Sequence, residues 1–322
     1  LRALITGSAG FVGSHLCEYL VQETDWEIWS VCFHSCSTEH LDPIRDRITL
    51  FQGDLMDNDW VDQVVASVRP EVVFHLAALS SAASSFVDPA RTLSNNILAQ
   101  VHLFQAILQA RVDPIVLVVG SGEEYGMVKP EEIPVNEDTP LRPANPYAVS
   151  KVAQDLLALQ FFFSHGLRTV RVRPFNHIGP RQAPGFVTVD FARQVAEIEA
   201  GQRPALVQVG NLNARRDFTD VRDVVRAYYL AVTQGKPGEV YNIGSGKAHS
   251  IEDILQKLVG LIEIPVKVEV DPKRLRPIDV PVIACDCTRF REHTGWEPDI
   301  PIEQSLQDIL NYWRDRVHAK AP

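Results

Sequence analysis

The sequence predicts an α/β protein, a doubly wound parallel sheet carrying a smaller, interleaved α+β unit. Short apolar runs alternate with amphipathic stretches through the amino-terminal half. A glycine-rich segment stands between the first such run and the first helical pattern. Beyond Pro174 the chain changes character, with connections rich in Pro and Gly that suit a ligand pocket built on loops.

The elements follow in order. Arg2–Thr6 is the first strand, and residues 7–13 turn into a helix reaching Gln22. Strands are expected over 27–32, 49–52, 72–76 and 115–119, separated by helices over 60–67 and 96–111. In the latter, Ile97, Val101, Phe104, Leu108 and Val112 recur every three or four residues and form one apolar face. A helix after Pro146 runs to Ser164, and 167–172 reads as another strand. Residues 174–186 are loops and 188–200 a helix, followed by a polar stretch over 210–223. Ser250 and Asp253 form a capping pattern before a helix over 254–262, 266–270 alternates like a half-exposed strand, and 302–317 is a final amphipathic helix. No repeat or low-complexity tract interrupts this order.

Composition narrows the class. The chain has 322 residues, 45% hydrophobic and 22% charged, which supports a substantial core and argues against disorder. No apolar run approaches the roughly 20 residues of a membrane-spanning helix. Thirty-one basic against 41 acidic residues give a formal charge of −10, unfavourable for binding nucleic acid. Leu1 leads directly into a strand, with no basic leader, and the five cysteines lack the spacing of a zinc site or disulfide framework. A cytoplasmic protein with reduced thiols and no metal is therefore expected.

In Thr6-Gly7-Ser8-Ala9-Gly10-Phe11-Val12-Gly13, glycines permit a tight turn and bring backbone N–H groups close to a pyrophosphate. Gly7, Ala9, Gly10, Phe11, Val12 and Gly13 are thus candidate cofactor ligands. Dinucleotide folds place a ribose-binding carboxylate about 20 residues further on when the cofactor is NAD. Phe33, His34 and Ser35 stand there instead, which favours NADP(H) while NAD(H) stays open. Asp54 either accepts from an adenine amino group or stabilises its turn.

Tyr147 and Lys151 lie four apart on one predicted helix face, where an ammonium favours phenolate and brings the tyrosine toward acid–base work. The same spacing in Tyr125 and Lys129 falls where Gly126 and Pro130 oppose a helix. Ser121 follows the 115–119 strand, at the sheet edge where such folds bind ligands. Arg216 offers paired donors to a diphosphate. Asp190, a carboxylate, can accept two adjacent N–H donors such as those on guanine's edge, or it can be, like Arg193, a solvent-exposed helix charge.

Thr-Gly-x-x-Gly-x-x-Gly, the segment Ser121 to Gly126 and Tyr-x-x-x-Lys, in this order, resemble the extended short-chain dehydrogenase/reductases over essentially the whole chain. Arg173-Pro174-Phe175-Asn176-His177-Ile178-Gly179-Pro180, Gly185-Phe186-Val187-Thr188, Arg216-Asp217-Phe218-Thr219-Asp220 and Leu275-Arg276-Pro277 are similar to the branch containing GDP-6-deoxy-4-keto-D-mannose reductases and GDP-mannose 4,6-dehydratases. The resemblance implies a triad of Ser121, Tyr147 and Lys151, with Asn96 helping to place a water; its alternative is a simple helix cap. It implies a cofactor groove completed by His34, Asp54, Leu55, Leu76, Ala77, Ala78 and Pro174. A substrate cleft would use Asn176, Val187, Asp190, Arg193, Asn211, Arg216, Arg276 and Asp279. Glu123 occupies the position of the dehydratase base, and Gly122 precedes it where paired-acid dehydratases carry Asp, a residue that GDP-mannose dehydratases also lack; the Asn176-His177-Ile178-Gly179-Pro180 continuation resembles the reductases more, so Glu123 is read as an inherited or orienting carboxylate.

Residues 1–173 and 214–248 would then form the dinucleotide-binding unit and 174–213 and 249–322 the nucleotide-sugar unit. The implied reaction is reduction of GDP-4-keto-6-deoxy-D-mannose to GDP-D-rhamnose by NADPH or NADH, in a homodimer joined by the 96–111 and 147–164 helices. The rivals are a GDP-mannose 4,6-dehydratase using Glu123, another nucleotide-sugar epimerase or reductase, and a cofactor-sensing protein without turnover.

Overall fold

The computed structural model describes residues 1–275 and 280–319. Its first part comprises β1 (Arg2–Thr6), α1 (Phe11–Glu23), β2 (Glu27–Cys32), β3 (Ile48–Gln52), α2 (Asn58–Val68), β4 (Val72–His75), α3 (Ala82–Val87), α4 (Pro89–Gln109), β5 (Ile115–Val119), α5 (Pro146–His165) and β6 (Arg168–Pro174). There follow β7 (Asn176–Ile178), α6 (Val187–Glu199), β8 (Leu206–Val209), β9 (Arg215–Asp220), α7 (Val221–Gln234), β10 (Val240–Ile243), β11 (Ala248–Ser250), α8 (Ile251–Val259), β12 (Lys267–Val270), α9 (Thr288–Thr294) and α10 (Ile302–His318).

Seven strands form one parallel sheet in the order β3-β2-β1-β4-β5-β6-β10. Side chains alternate across it. Ala3, Ile5, Phe74 and Leu117 face a core shared with α1 and α7, while Leu4, Val73, Val116 and Val118 face one shared with α2 and α4. Because β1 pairs with both β2 and β4, the chain leaves it toward opposite edges, and a crevice opens above the carboxyl ends of these strands.

The smaller unit contains the sheets β11-β9-β7 and β12-β8. Phe191, Val195, Val207, Ile254, Leu258, Ile309 and Leu310 form its core. Two boundaries differ from the sequence expectation. β9 pairs with β7 and β11 rather than with the large sheet, which receives only α7 and β10 from residues 214–248. Conversely, Ile283, Cys285, Cys287, Phe290 and Trp296 are buried in the large sheet's core. Val135 N–H donates to the Ala284 carbonyl at 2.9 Å, and Trp296 Nε1 donates to the Asp223 carbonyl at 3.1 Å. Such pairings join distant segments and leave no local periodicity.

α4 begins at Pro89, seven residues before the start expected at 96, because Asp88 caps it by accepting the Arg91 N–H at 3.0 Å. Its first turns carry few apolar residues, so periodicity alone misses them. Among the described residues no helix is long and apolar enough to cross a membrane.

Candidate active site

The turn between β1 and α1 is fixed on both sides. Gly7 has φ +72°, and a Cβ there would lie 2.9 Å from Ala77 N; a Cβ on Gly13 would lie 2.2 Å from the Gly7 carbonyl oxygen. The Ser8 N–H donates to the Val31 carbonyl at 3.1 Å, and the Ala77 N–H to Thr6 Oγ1 at 3.2 Å. Gly10 caps α1 without a side chain, and no acidic residue occupies the first turn. The amides and positive dipole of this helix end are thereby left to an anion, and the cradle fits the pyrophosphate of a dinucleotide.

This turn forms one wall of a cavity of about 1160 Å³ above the sheet's switch point. That volume exceeds the few hundred to about 1,000 Å³ of a one-ligand site. Ala9, Phe11, Val12, Asp54, Leu55, Leu76, Ala77, Ala78 and Pro174 line it. Asp54 also holds its own turn, accepting the Met56 N–H at 2.9 Å. His34 is exposed and off the lining, which takes Phe33, Cys36, Ser37 and His40 from the chain after β2 instead. Arg181, from the loop after β7, lines the cavity as well and pairs with Glu18 at 2.7 Å.

Ser121 follows β5 at the sheet edge. Its N–H donates to Glu124 Oε1 at 2.8 Å and its Oγ accepts the Glu123 N–H at 3.1 Å. Asn145 caps α5, accepting the Ala148 N–H at 2.8 Å, and its Nδ2 donates to Glu123 Oε2 at 2.7 Å. Asn145 was not singled out from sequence, although Asn before Pro at a helix start is a capping signal. One turn into α5, Lys151 Nζ donates to the Val119 carbonyl at 2.8 Å and lies 6.0 Å from the Tyr147 ring centroid. Ser121, Glu123, Tyr147 and Lys151 all line the cavity.

The electrostatics differ from expectation in one respect. Burial, reinforced by Glu123 and Glu124, keeps the Tyr147 phenol above its ordinary range, and its hydrogen bond with Ser121 offsets only part of this. Tyr147 is thus protonated at neutral pH rather than drawn toward phenolate. Burial also draws Lys151 down to about 8, with Glu124 opposing.

Beneath Ser121 lies a buried charge network. Arg173 Nε donates to Asp155 Oδ2 at 2.7 Å and stands 3.2 Å from Glu124 Oε2; Arg171 Nη1 reaches Asp155 Oδ1 at 2.5 Å. Burial, then the neighbouring Asp155, push the Glu124 carboxyl well above the usual range, against Arg173 and the Ser121 amide.

Asn96 lies inside α4, fully buried and off the cavity lining, so the helix-cap alternative does not apply. Its Oδ1 accepts the Leu79 N–H at 2.7 Å and its Nδ2 donates to Ser150 Oγ at 2.9 Å, tying the loop after β4 to α5.

In the second half of the cavity, Asn176, Val187, Asp190, Asn211 and Arg216 reach the lining. Arg216 Nη1 donates to the Val280 carbonyl at 2.7 Å. Arg193 does not reach it; one helical turn beyond Asp190, it pairs with Glu197 at 3.6 Å. Arg276 and Asp279 lie outside the described residues. Arg274, not anticipated from sequence, lines this end and pairs with Asp190.

A family model described as GDP-mannose 4,6 dehydratase matches residues 4–309. The chain belongs to this family. It is an extended short-chain dehydrogenase/reductase, as the motifs suggested. Among curated relatives, the GDP-6-deoxy-D-mannose reductase of Pseudomonas aeruginosa is 35% identical, covering 98% of both chains. The UDP-glucose 4-epimerase of Mycolicibacterium smegmatis is 30% identical, covering 98% of this chain and 99% of its own. A solved structure described as RMD from Pseudomonas aeruginosa complexed with NADPH is 34% identical, with a TM-score of 0.86 over 98% of this chain and 99% of that one.

Proposed function

We propose that this dehydrogenase/reductase reduces the 4-keto group of GDP-4-keto-6-deoxy-D-mannose to give GDP-D-rhamnose. The observation that carries the reading is geometric: Ser121, Tyr147 and Lys151 share the wall of the cavity that the glycine turn also lines, so a phenol that can give a proton stands beside a hydroxyl and an ammonium. Reduction of a ketone needs a proton donor at the developing alkoxide, whereas a dehydratase begins by oxidising a hydroxyl and needs a base there. The reductase relative, similar over nearly its full length, supports the same choice.

A dinucleotide held by the turn over residues 7–13 would supply the hydride that reduces the sugar C4. Tyr147 gives its proton to the resulting oxygen, Ser121 Oγ hydrogen-bonds that oxygen, and Lys151 places positive charge nearby. Glu123, held by Asn145, orients the sugar; the Phe175 ring would stand 3.0 Å from a Cβ at Gly122, leaving little room for an acidic partner. Arg216 takes the diphosphate. NADP(H) is favoured, since no carboxylate occupies residues 33–37 and His40 and Arg181 line the cavity. Exposed Leu98 on α4 and Val149, Leu156 and Phe163 on α5 support a homodimer packed through these helices.

The test is loss of NADPH or NADH absorbance with purified protein and GDP-4-keto-6-deoxy-D-mannose, with GDP-mannose alone in parallel. Oxidation only with the keto sugar is expected. Appearance of keto sugar from GDP-mannose without cofactor consumption would make the protein a dehydratase with Glu123 as its base.

A further inference from the structure

Resting on the GDP-sugar reading, we infer that Arg274, aimed by Asp190, reads the acceptor edge of the purine base. The order of groups in the substrate fixes where the base must lie. With the sugar at Ser121 and Tyr147 and the diphosphate at Arg216, the lining residues left for the nucleoside include Val187, Asp190, Asn211 and Arg274, of which Asp190 and Arg274 are joined by a hydrogen bond.

Asp190 was a candidate reader of this base, with a surface charge as its alternative, and the fold engages both its oxygens. Oδ1 accepts the Gly185 N–H at 2.9 Å and Oδ2 receives Arg274 Nη1 at 3.0 Å. Arg274 is anchored in turn. Its N–H donates to the Asp271 carbonyl at 2.9 Å, its carbonyl oxygen would stand 2.7 Å from a Cβ at Gly210, and its Nε lies 3.8 Å from Asp271 Oδ2. Nε is buried and has no hydrogen-bond partner among the described residues.

A guanidinium fork fixed on one side and facing a cavity is suited to two acceptors in one plane. Guanine presents such a pair in O6 and N7; adenine replaces O6 by a donor, and pyrimidines lack N7. Recognition through this edge ignores the 2-amino group, whereas recognition by the Asp190 carboxylate would depend on it.

The experiment measures binding of GDP, IDP, 7-deaza-GDP, ADP and UDP by calorimetry to the protein loaded with NADP, for the wild type and for Arg274→Lys and Asp190→Asn. GDP and IDP should bind within about threefold of each other, with 7-deaza-GDP and ADP weaker by about tenfold or more. Arg274→Lys keeps the charge and the pairing with Asp190 but loses the fork, so it should collapse these differences. Asp190→Asn, which still accepts from Gly185, should weaken GDP and IDP in parallel. Unchanged discrimination in Arg274→Lys overturns the inference. So does IDP binding tenfold more weakly than GDP with the gap erased in Asp190→Asn, which assigns the reading to Asp190. UDP binding more tightly than GDP overturns the GDP-sugar reading together with it.

Discussion

The Ser121 amide donates to Glu124 Oε1 at 2.8 Å, tying the turn that carries the proposed catalytic hydroxyl to a fully buried carboxyl. Since that carboxyl titrates well above the usual range, a neutral side chain of the same shape should replace it at little cost. Glu124→Gln should stay within about 1 kcal/mol of the wild type in urea unfolding. Glu124→Leu leaves the Ser121 N–H without its acceptor and should cost about 1–3 kcal/mol. Its kcat should fall at least about tenfold through misplacement of Ser121, with cofactor affinity retained. Stability and steady-state rates measured on both variants check the pair.

Tyr147→Phe removes the proton donor and little volume. NADPH binding followed by fluorescence should change little, while turnover should fall roughly a hundredfold or more. Turnover like the wild type would remove Tyr147 from the mechanism.

Activity should also decline as pH rises through about 8. Burial draws Lys151 to that value, so its ammonium is intact below it and lost above it, while Tyr147 keeps its proton throughout. Each further pH unit should lower kcat/KM by up to about tenfold if the positive charge is required. An arginine stays charged in this range, so Lys151→Arg should flatten the alkaline limb even if its absolute rate is lower.

Acid should destabilise the fold well before most carboxylates are protonated. Burial lowers His75 to about 3 and His15 to about 4, so both are neutral in the folded chain near pH 5, where the unfolded chain binds protons at these sites. The stability they confer is complete above the ordinary histidine value of about 6.5 and is lost as pH falls toward the folded values. Each histidine should cost up to about 1.4 kcal/mol per pH unit in that window. His75→Asn should reduce the slope of unfolding free energy against pH between 6 and 4.

The features legible in the sequence are those whose cause is local. Strand alternation, the glycine turn and the four-residue step from Tyr147 to Lys151 all follow from backbone geometry within a few residues. His40, Arg181 and Arg274 were missed because loops deliver them to the cavity, and a loop's path depends on what it packs against. His34 and Arg193 lie off the lining for the complementary reason: each stands beside or one turn from a lining position, but His34 is exposed in the chain after β2 and Arg193 pairs with Glu197. The upward shift of the Tyr147 phenol is likewise a property of burial, which residue spacing does not report.

The placement of residues 283–296 against the large sheet bears on how the protein is made. During synthesis the first six strands precede the edge strand Val240–Ile243, and the covering residues Phe290 and Trp296 follow later still. Until Trp296 has left the ribosome, Tyr241 and Cys285 lack neighbours that bury them in the finished molecule. The large sheet, although its first six strands precede Asn176, is thus sealed only after residues 283–296 have been made.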